Sequence, residues 1–407
     1  MKPTESNLFM NSNPALCAAI SDRIATSPQK RITFAEYMDM ALYHPEHGYY
    51  ASKAVNIGFK GGDFFTSVSL GVDFGELLAE QFVQMWEILG QPRPYSLVEM
   101  GAGQGLLALH ILNYYQRHYP DFLPALEYVI VEKSPELQQE QQQRLQNYPV
   151  RWCNLADIPS NSITGCFFSN ELVDAFSVHQ FILQTGELRE IYVTLPSDVE
   201  QDENYLLLEG EFQEIIGEIS TPQLTKYFDL IGIDLAAKVY PDGYRSEINL
   251  AALDWLSIVA DRLQRGYVVT VDYGYPAHRY YNPRRSQGTL QCYYQHRYHN
   301  NPYINLGRQD ITAHVDFTAL ELWGEQCGLT KIGFTQQGLF LMALGLGDRI
   351  ASLSQQDIAI AQLLQRRESL HQLIDPNGLG GFGVLIQSKG LQNQEILQPL
   401  KGLIVPK

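Results

Sequence analysis

Basic side chains are scarce in this chain of 407 residues: 29 Lys and Arg stand against 45 Asp and Glu, a formal net charge of −16. That balance is a poor match to a phosphate backbone, so nucleic acid is disfavoured and cationic partners, such as an arginine-rich peptide, are favoured. Cysteine is sparse too, with 5 residues (Cys17, Cys153, Cys166, Cys292, Cys327) and no C-x-x-C pair. This argues against a zinc site or a disulfide framework and fits reduced, mostly buried thiols. No apolar run approaches the ~18 residues of a membrane helix, so no membrane insertion is expected. The first 30 residues hold no apolar segment of a secretory signal. They are polar and mixed, and loose packing is expected of them. A cytoplasmic protein is the expectation, or an organelle-matrix one in a eukaryote. Apolar material is ample: the chain is 45% hydrophobic and 18% charged, enough to bury one large core or two moderate ones.

From Tyr95 onward the pattern alternates between short apolar runs and helical stretches. Ser96–Met100, Glu127–Glu132, Val150–Trp152 and Cys166–Ser169 read as strands. Ser134-Pro135 supplies an N-cap followed by proline at the first helical position, ahead of a glutamine-rich, mostly solvated helix. Strands alternating with helices predict a doubly wound parallel sheet. The pattern changes between Val178 and Leu195, where a hairpin turns on Thr185-Gly186. Residues 196–244 lack a strand–helix rhythm and read as an insertion. The rhythm resumes with a helix over 250–263 and a strand at Tyr267–Asp272. Residues 273–310 form a long stretch rich in Tyr, Arg, His and Asn that reads as irregular, and such stretches are usually functional or mobile. Upstream, Ile32–Leu42 has helical spacing with Thr33 as its N-cap.

Chemistry concentrates at Val98-Glu-Met-Gly-Ala-Gly-Gln-Gly105, which ends a strand and opens a helix. Its spacing is G-x-G-x-G, with Glu99 two residues ahead of the first glycine. A carboxylate there would repel a pyrophosphate, which argues against the rival nicotinamide dinucleotide reading. It suits S-adenosylmethionine, which carries a sulfonium and an ammonium and no phosphate. Gly101, Ala102, Gly103 and Gly105 let the ligand approach the backbone. Glu132, closing the second strand, is placed to accept two hydrogen bonds from a ribose diol. Asn154 and Leu155 follow the third strand, where an adenine would meet a polar and an apolar group.

A second constellation, Ser169-Asn-Glu-Leu-Val-Asp-Ala-Phe176, follows the fourth strand, where ligand crevices form. Asn170, Glu171 and Asp174 are candidate reaction-site residues. Their carboxylates would hold a guanidinium by paired hydrogen bonds and accept its proton as a C–N bond forms. The alternative is that Glu171 and Asp174 cap a following helix. The segment Gly61–Ser67 reads as a lid over cofactor or substrate with Asp63 as its carboxylate, or as a capping loop. His314 is a candidate base or substrate contact, or part of a capping motif with Asp316. His296-Arg-Tyr-His299 has no acidic or cysteine partner at ligand spacing, so no metal is expected.

These motifs together resemble the MidA-like methyltransferases that use S-adenosyl-L-methionine. The resemblance rests on ITFAEYM and HPEHGYY (32–50), GGDFFTS (61–67), VEMGAGQG (98–105), NELVDAF (170–176), VDYGY (271–275), GTLQCY (288–293) and DITAHVDF (310–317). It implies an α/β, Rossmann-like, doubly wound seven-stranded class I core with an N-terminal helical region and an inserted segment. The domain reading is then 1–67 as helical region and lid, 68–390 as methyltransferase domain with the insertion at about 196–244, and 391–407 as tail. It further implies symmetric dimethylation of a protein arginine on a respiratory or NDH-type complex subunit. By position, Glu99, Gly101, Gly103, Gly105 and Glu132 would hold the cofactor. Asn170, Glu171 and Asp174 would line the reaction site, with Asp63 and His314 nearby. The chain departs from the pattern at His110, where an acid is usual, at Ser177, where proline is usual, and at Gly383, where lysine is usual. A small-molecule acceptor and a SAM-binding assembly chaperone are the alternative readings. Oligomeric state is left open.

Overall fold

The computed structural model describes residues 11–51, 66–196, 205–206, 212–295, 297–353 and 359–405. The chain divides into two compact units. One comprises Phe65–Val173, Trp255–Gly274 and Leu320–Lys407, the other Met1–Phe64, Asp174–Asp254 and Tyr275–Ala319.

The first unit is built on a seven-stranded sheet: β1 Tyr95–Met100, β2 Leu126–Val131, β3 Val150–Cys153, β4 Ile163–Asn170, β5 Leu263–Asp272, β6 Thr330–Gln336 and β7 Gly383–Lys389. The spatial order is β6-β7-β5-β4-β1-β2-β3. Strands β1 to β5 pair in parallel, while β7 runs antiparallel to both β5 and β6. All six residues of β1 are buried, as expected where helices cover both faces of a parallel sheet. Helices Leu106–His118 and Pro135–Arg144 follow β1 and β2. Leu97, Tyr128, Ile130, Phe168, Val269, Val271 and Ile386 from the strands pack with Phe82, Leu107 and Ile111 from helices in one core. The connections leave β1 and β4 in opposite directions across the sheet. Their carboxyl ends therefore flank a switch point, where such folds form their ligand crevice.

The second unit carries an antiparallel sheet that includes Arg31–Thr33, His179–Gln184, Glu187–Thr194, Gln213–Gly217 and Arg245–Ile248. Its central hairpin turns on Thr185 (φ 52°) and Gly186 (φ 79°). Two successive positive φ values are the signature of a two-residue hairpin turn whose twist matches the strands.

Two expectations change. The first 30 residues are not loose over their described part: Pro14–Thr26 is a helix whose first amides, Ala15 and Leu16, are capped by the Asn13 side chain. Leu16, Ile20 and Ile24 recur every four residues and are fully buried, so an apolar stripe anchors the segment. The stretch 273–310 is not irregular throughout. Gln291–Tyr294 pairs with both Arg297–His299 and Asp310–Thr312 in a three-stranded sheet. The glutamine-rich helix is mostly solvated, as expected, and its one buried residue is Gln141.

Candidate active site

Three left-handed glycines shape the loop after β1: Gly101 (φ 69°), Gly103 (φ 52°) and Gly105 (φ 74°). At Gly101 the left-handed backbone favours glycine, and a side chain would also crowd Leu172. A Cβ there would lie 2.7 Å from Leu172 Cδ1. The Gly101 amide donates to the Val131 carbonyl at 3.1 Å, which ties the loop to the end of β2. Gly105 occupies the N-cap of helix Leu106–His118. Ala102 is buried at the bend.

Glu99 is 3% exposed, and the Tyr128 hydroxyl donates to its Oε2 at 2.6 Å. Burial pushes the Glu99 carboxyl up to about 7, opposed by that hydrogen bond and aided by the nearby Glu132 charge. Glu132 stands half-buried at the end of β2. Its Oε1 accepts from the Ser134 amide at 2.9 Å, and its Oε2 accepts from Gln141 Nε2 at 3.0 Å. Burial raises this carboxyl as well. After β3, Asn154 is exposed and its Nδ2 donates to Asp157 Oδ2 at 3.0 Å, beside half-buried Leu155. Asp63 lies outside the described residues, as do His296 and most of the expected lid.

Gln141 carries no sequence signal, being one glutamine in a run of several. Its Nε2 bridges the Gly103 carbonyl (2.7 Å) and the Glu132 carboxylate, while its Oε1 accepts from Trp152 Nε1 at 3.0 Å. It locks the glycine loop to the acid that ends β2. Gln141→Leu leaves three part-buried polar groups, the Gly103 carbonyl, the Glu132 carboxylate and Trp152 Nε1, without this partner. S-adenosylhomocysteine binding should weaken at least about tenfold, with kcat at saturating cofactor less affected. Calorimetric affinity equal to that of the parent would refute this.

At the carboxyl end of β4, Ser169 Oγ and Asn170 Oδ1 are buried and have no hydrogen-bond partner among the described residues. Asn170 Nδ2 donates to Glu171 Oε1 at 3.1 Å. Glu171 adopts φ 52°, a left-handed conformation that costs a non-glycine residue of order 1–3 kcal/mol and that clusters at functional sites. Its amide is anchored on the Val271 carbonyl at 2.9 Å.

Asp272, which closes β5, is fully buried. It accepts from the amides of Leu172 (3.2 Å) and Val173 (2.9 Å). Capping of the short turn Val173–Ala175 thus falls to Asp272, and Asp174 sits inside the turn. Sequence reasoning passed over Asp272, although an acid closing an apolar strand was the signal that singled out Glu132.

In the other unit, Asp174 is 6% exposed and its carbonyl accepts from the Ala313 amide at 2.9 Å. The Tyr50 hydroxyl donates to Asp310, and its pKa rises well above the usual value through burial first, then the charges of Asp310, Tyr43 and Asp174. Asp316 accepts from the amides of Thr318 (3.0 Å) and Ala319 (3.2 Å), which is the capping role expected of it. His314 stacks on Tyr275 with centroids 5.1 Å apart. Burial, then the Arg285 charge, lowers its pKa to about 4, so its imidazole is neutral at physiological pH. Among the described residues no cluster of His, Cys, Asp and Glu is arranged to hold a metal ion, and no helix is long and apolar enough to cross a membrane.

A sheet of order 3-2-1-4-5-7-6 with a glycine loop at its switch point defines a Rossmann-like class I methyltransferase core. The residues suit S-adenosylmethionine: Ser169 Oγ and Asn170 Oδ1, without a partner among the described residues, offer polar atoms at the crevice, and acids stand at the ends of β1 and β2. Residues 77–335 match the model of a family described as "Putative S-adenosyl-L-methionine-dependent methyltransferase". A crystal structure of a "likely methyl transferase" from Burkholderia thailandensis, bound to S-adenosyl-homocysteine, is 30% identical with a TM-score of 0.80, covering 99% of this chain and 97% of that one. The mitochondrial protein arginine methyltransferase NDUFAF7 homolog of Drosophila melanogaster is 27% identical, over 93% of this chain and 86% of that protein. The human protein arginine methyltransferase NDUFAF7, also mitochondrial, is 25% identical, over 89% of this chain and 81% of that protein. The chain belongs to the MidA-like family of S-adenosylmethionine-dependent methyltransferases.

Proposed function

We propose that the chain methylates the side chain of an arginine in a polypeptide, giving symmetric dimethylarginine on a subunit of a respiratory or NDH-type complex, in the cytoplasm or an organelle matrix. The observation that carries the reading is the strained Glu171 at the carboxyl end of β4, with its amide held by Val271 and Asn170 beside it. The two arginine methyltransferase relatives point the same way.

When bound, S-adenosylmethionine supplies a methyl group on a positively charged sulfur, which an attacking nitrogen displaces. In this reading Gly101, Ala102, Gly103 and Gly105 shape the loop for it. Glu132 takes the ribose hydroxyls, and Asn154 and Leu155 meet the adenine. Asp63 and Glu99 complete the set. Glu171 and Asp174, three residues apart in the chain, hold the acceptor guanidinium. Asn170 orients Glu171. As the nitrogen–carbon bond forms, the proton shed by the nitrogen passes to a carboxylate. Arginine's pKa of about 12.5 or more keeps the free group charged, so acids rather than a neutral base suit both binding and proton removal. His314, neutral at physiological pH, contacts the acceptor.

Glu99 gives this reading a pH signature. Below about pH 7 its carboxyl is protonated and neutral, and above that it is ionised. A cationic cofactor favours the ionised form, so binding should release a proton near neutrality and tighten as the pH rises through about 7. The calorimetric enthalpy should therefore depend on the ionisation enthalpy of the buffer in the parent and lose that dependence in Glu99→Gln. The same dependence in both proteins would remove Glu99 from the site.

The acceptor is tested with methyl-labelled S-adenosylmethionine and an extract of cells lacking the protein. Hydrolysis of labelled bands should yield symmetric dimethylarginine. Label confined to small molecules would overturn the polypeptide acceptor.

A further inference from the structure

Three separate stretches of the sequence meet at one cavity in the unit that contains Asp174. Its volume is about 210 Å³, and its lining includes Tyr275, Arg285, Thr289, Gln291, Asn300 and His314. The stretches are the end of 271–275, residues 288–291 and the middle of 310–317, all singled out by pattern.

Arg285 is fixed rather than free to sample solvent. One terminal nitrogen, Nη1, donates to the carbonyls of Arg279 (2.8 Å) and Tyr280 (3.1 Å), and its guanidinium carbon lies 4.4 Å from the Tyr275 ring centroid. Among the described residues no hydrogen bond engages its other terminal nitrogen. A second guanidinium, Arg279, lies 4.5 Å from the same ring. His314 stacks on Tyr275, and its backbone amide donates to Thr289 Oγ1 at 3.1 Å. No carboxylate belongs to the described lining. The nearest acid to Thr289, Glu247, is 2% exposed and accepts from the Thr289 amide (2.9 Å) and hydroxyl (3.1 Å), so it stands behind the wall. In a chain of net charge −16, a cavity with a preset guanidinium, amide and hydroxyl groups and no lining acid selects the opposite charge.

We infer that this cavity is a subsite for a side-chain carboxylate of the acceptor polypeptide, gripped by Arg285 and flanked by Thr289, Gln291, Asn300 and His314. The inference rests on the polypeptide reading above. Arg279 and Arg285 repel a guanidinium, so the cavity does not take the group that is methylated. It reads the residues around that group and favours an acceptor arginine with an aspartate or glutamate near it. A planar guanidinium pairs with a carboxylate through two parallel hydrogen bonds, which an amide cannot reproduce.

The test uses the full chain and two probes, N-acetyl-aspartic acid N-methylamide and its asparagine counterpart, titrated while the histidine imidazole signals are followed by NMR. The aspartate probe should produce a saturable shift of the His314 signal and the asparagine probe at least about tenfold weaker binding. Arg285→Gln should abolish the difference between the probes while S-adenosylhomocysteine binds as before, which shows the variant is folded. Equal binding of the two probes to the parent, or an unchanged preference in Arg285→Gln, overturns the subsite. The labelled-extract experiment keeps the two readings apart. Loss of the probe preference with dimethylarginine still formed sinks the subsite alone. A carboxylate preference with label only in small molecules sinks the polypeptide acceptor and leaves an anion site.

Discussion

Asp174→Asn should bind S-adenosylmethionine as tightly as the parent and transfer methyl groups at least about 10²–10³-fold more slowly. The substitution keeps the shape of the side chain and removes its charge. The placement of the side chain should survive, because the Asp174 carbonyl is held by the Ala313 amide at 2.9 Å. Capping of the turn does not depend on it, since Asp272 receives the Leu172 and Val173 amides. What is lost is a buried carboxylate, 6% exposed, able to hold a guanidinium and take its proton. An asparagine amide turns N–H donors toward a group that itself only donates. The measurement is label transfer into extract proteins alongside calorimetry with S-adenosylhomocysteine. Transfer within a few-fold of the parent would remove Asp174 from the reaction. Glu171→Gln should behave similarly if its strained backbone serves the acceptor.

Gly101→Val should lose cofactor binding by a factor of roughly 100 or more, about 2.7 kcal/mol or above. Two costs combine. At φ 69° a β-branched residue is strained by of order 1–3 kcal/mol. Its Cβ would also stand 2.7 Å from Leu172 Cδ1, so the Leu172 side chain must shift to admit it. The Leu172 backbone is held by Asp272, so relief comes from its side chain, and the left-handed backbone is the larger cost. Gly101→Ala meets the same contact with less bulk and should lose less. Calorimetry gives the affinity, and circular dichroism confirms that the sheet is intact. Unchanged affinity in the valine variant would show that the cofactor does not approach this turn.

The glycine loop, the hairpin at Thr185-Gly186, the caps at Thr33 and Ser134 and the acid at Glu132 were all legible in the sequence. Each depends on a few neighbouring residues: a turn that needs positive φ, a hydroxyl three residues ahead of an amide, an apolar run ended by a charge. The helix Pro14–Thr26 was legible in principle, since Leu16, Ile20 and Ile24 are spaced four apart, but its polar surroundings masked the stripe. Gln141 was not legible. It differs from its neighbours only in facing Gly103, Glu132 and Trp152, which lie 38, 9 and 11 residues away.

The sequence by itself determined the class of fold and the kind of cofactor, because the alternation of strands with helices and the chemistry of one turn are local properties. Only the tertiary structure decided which acids serve the backbone and which are candidates for chemistry. Asp272 caps amides 99 and 100 residues earlier in the chain, while Asp174 is left inside its turn. Only the tertiary structure, too, gathered Tyr275, Arg285, Thr289 and His314 around one cavity. Such groupings depend on strand order and register, which bring distant residues together irrespective of their spacing along the chain.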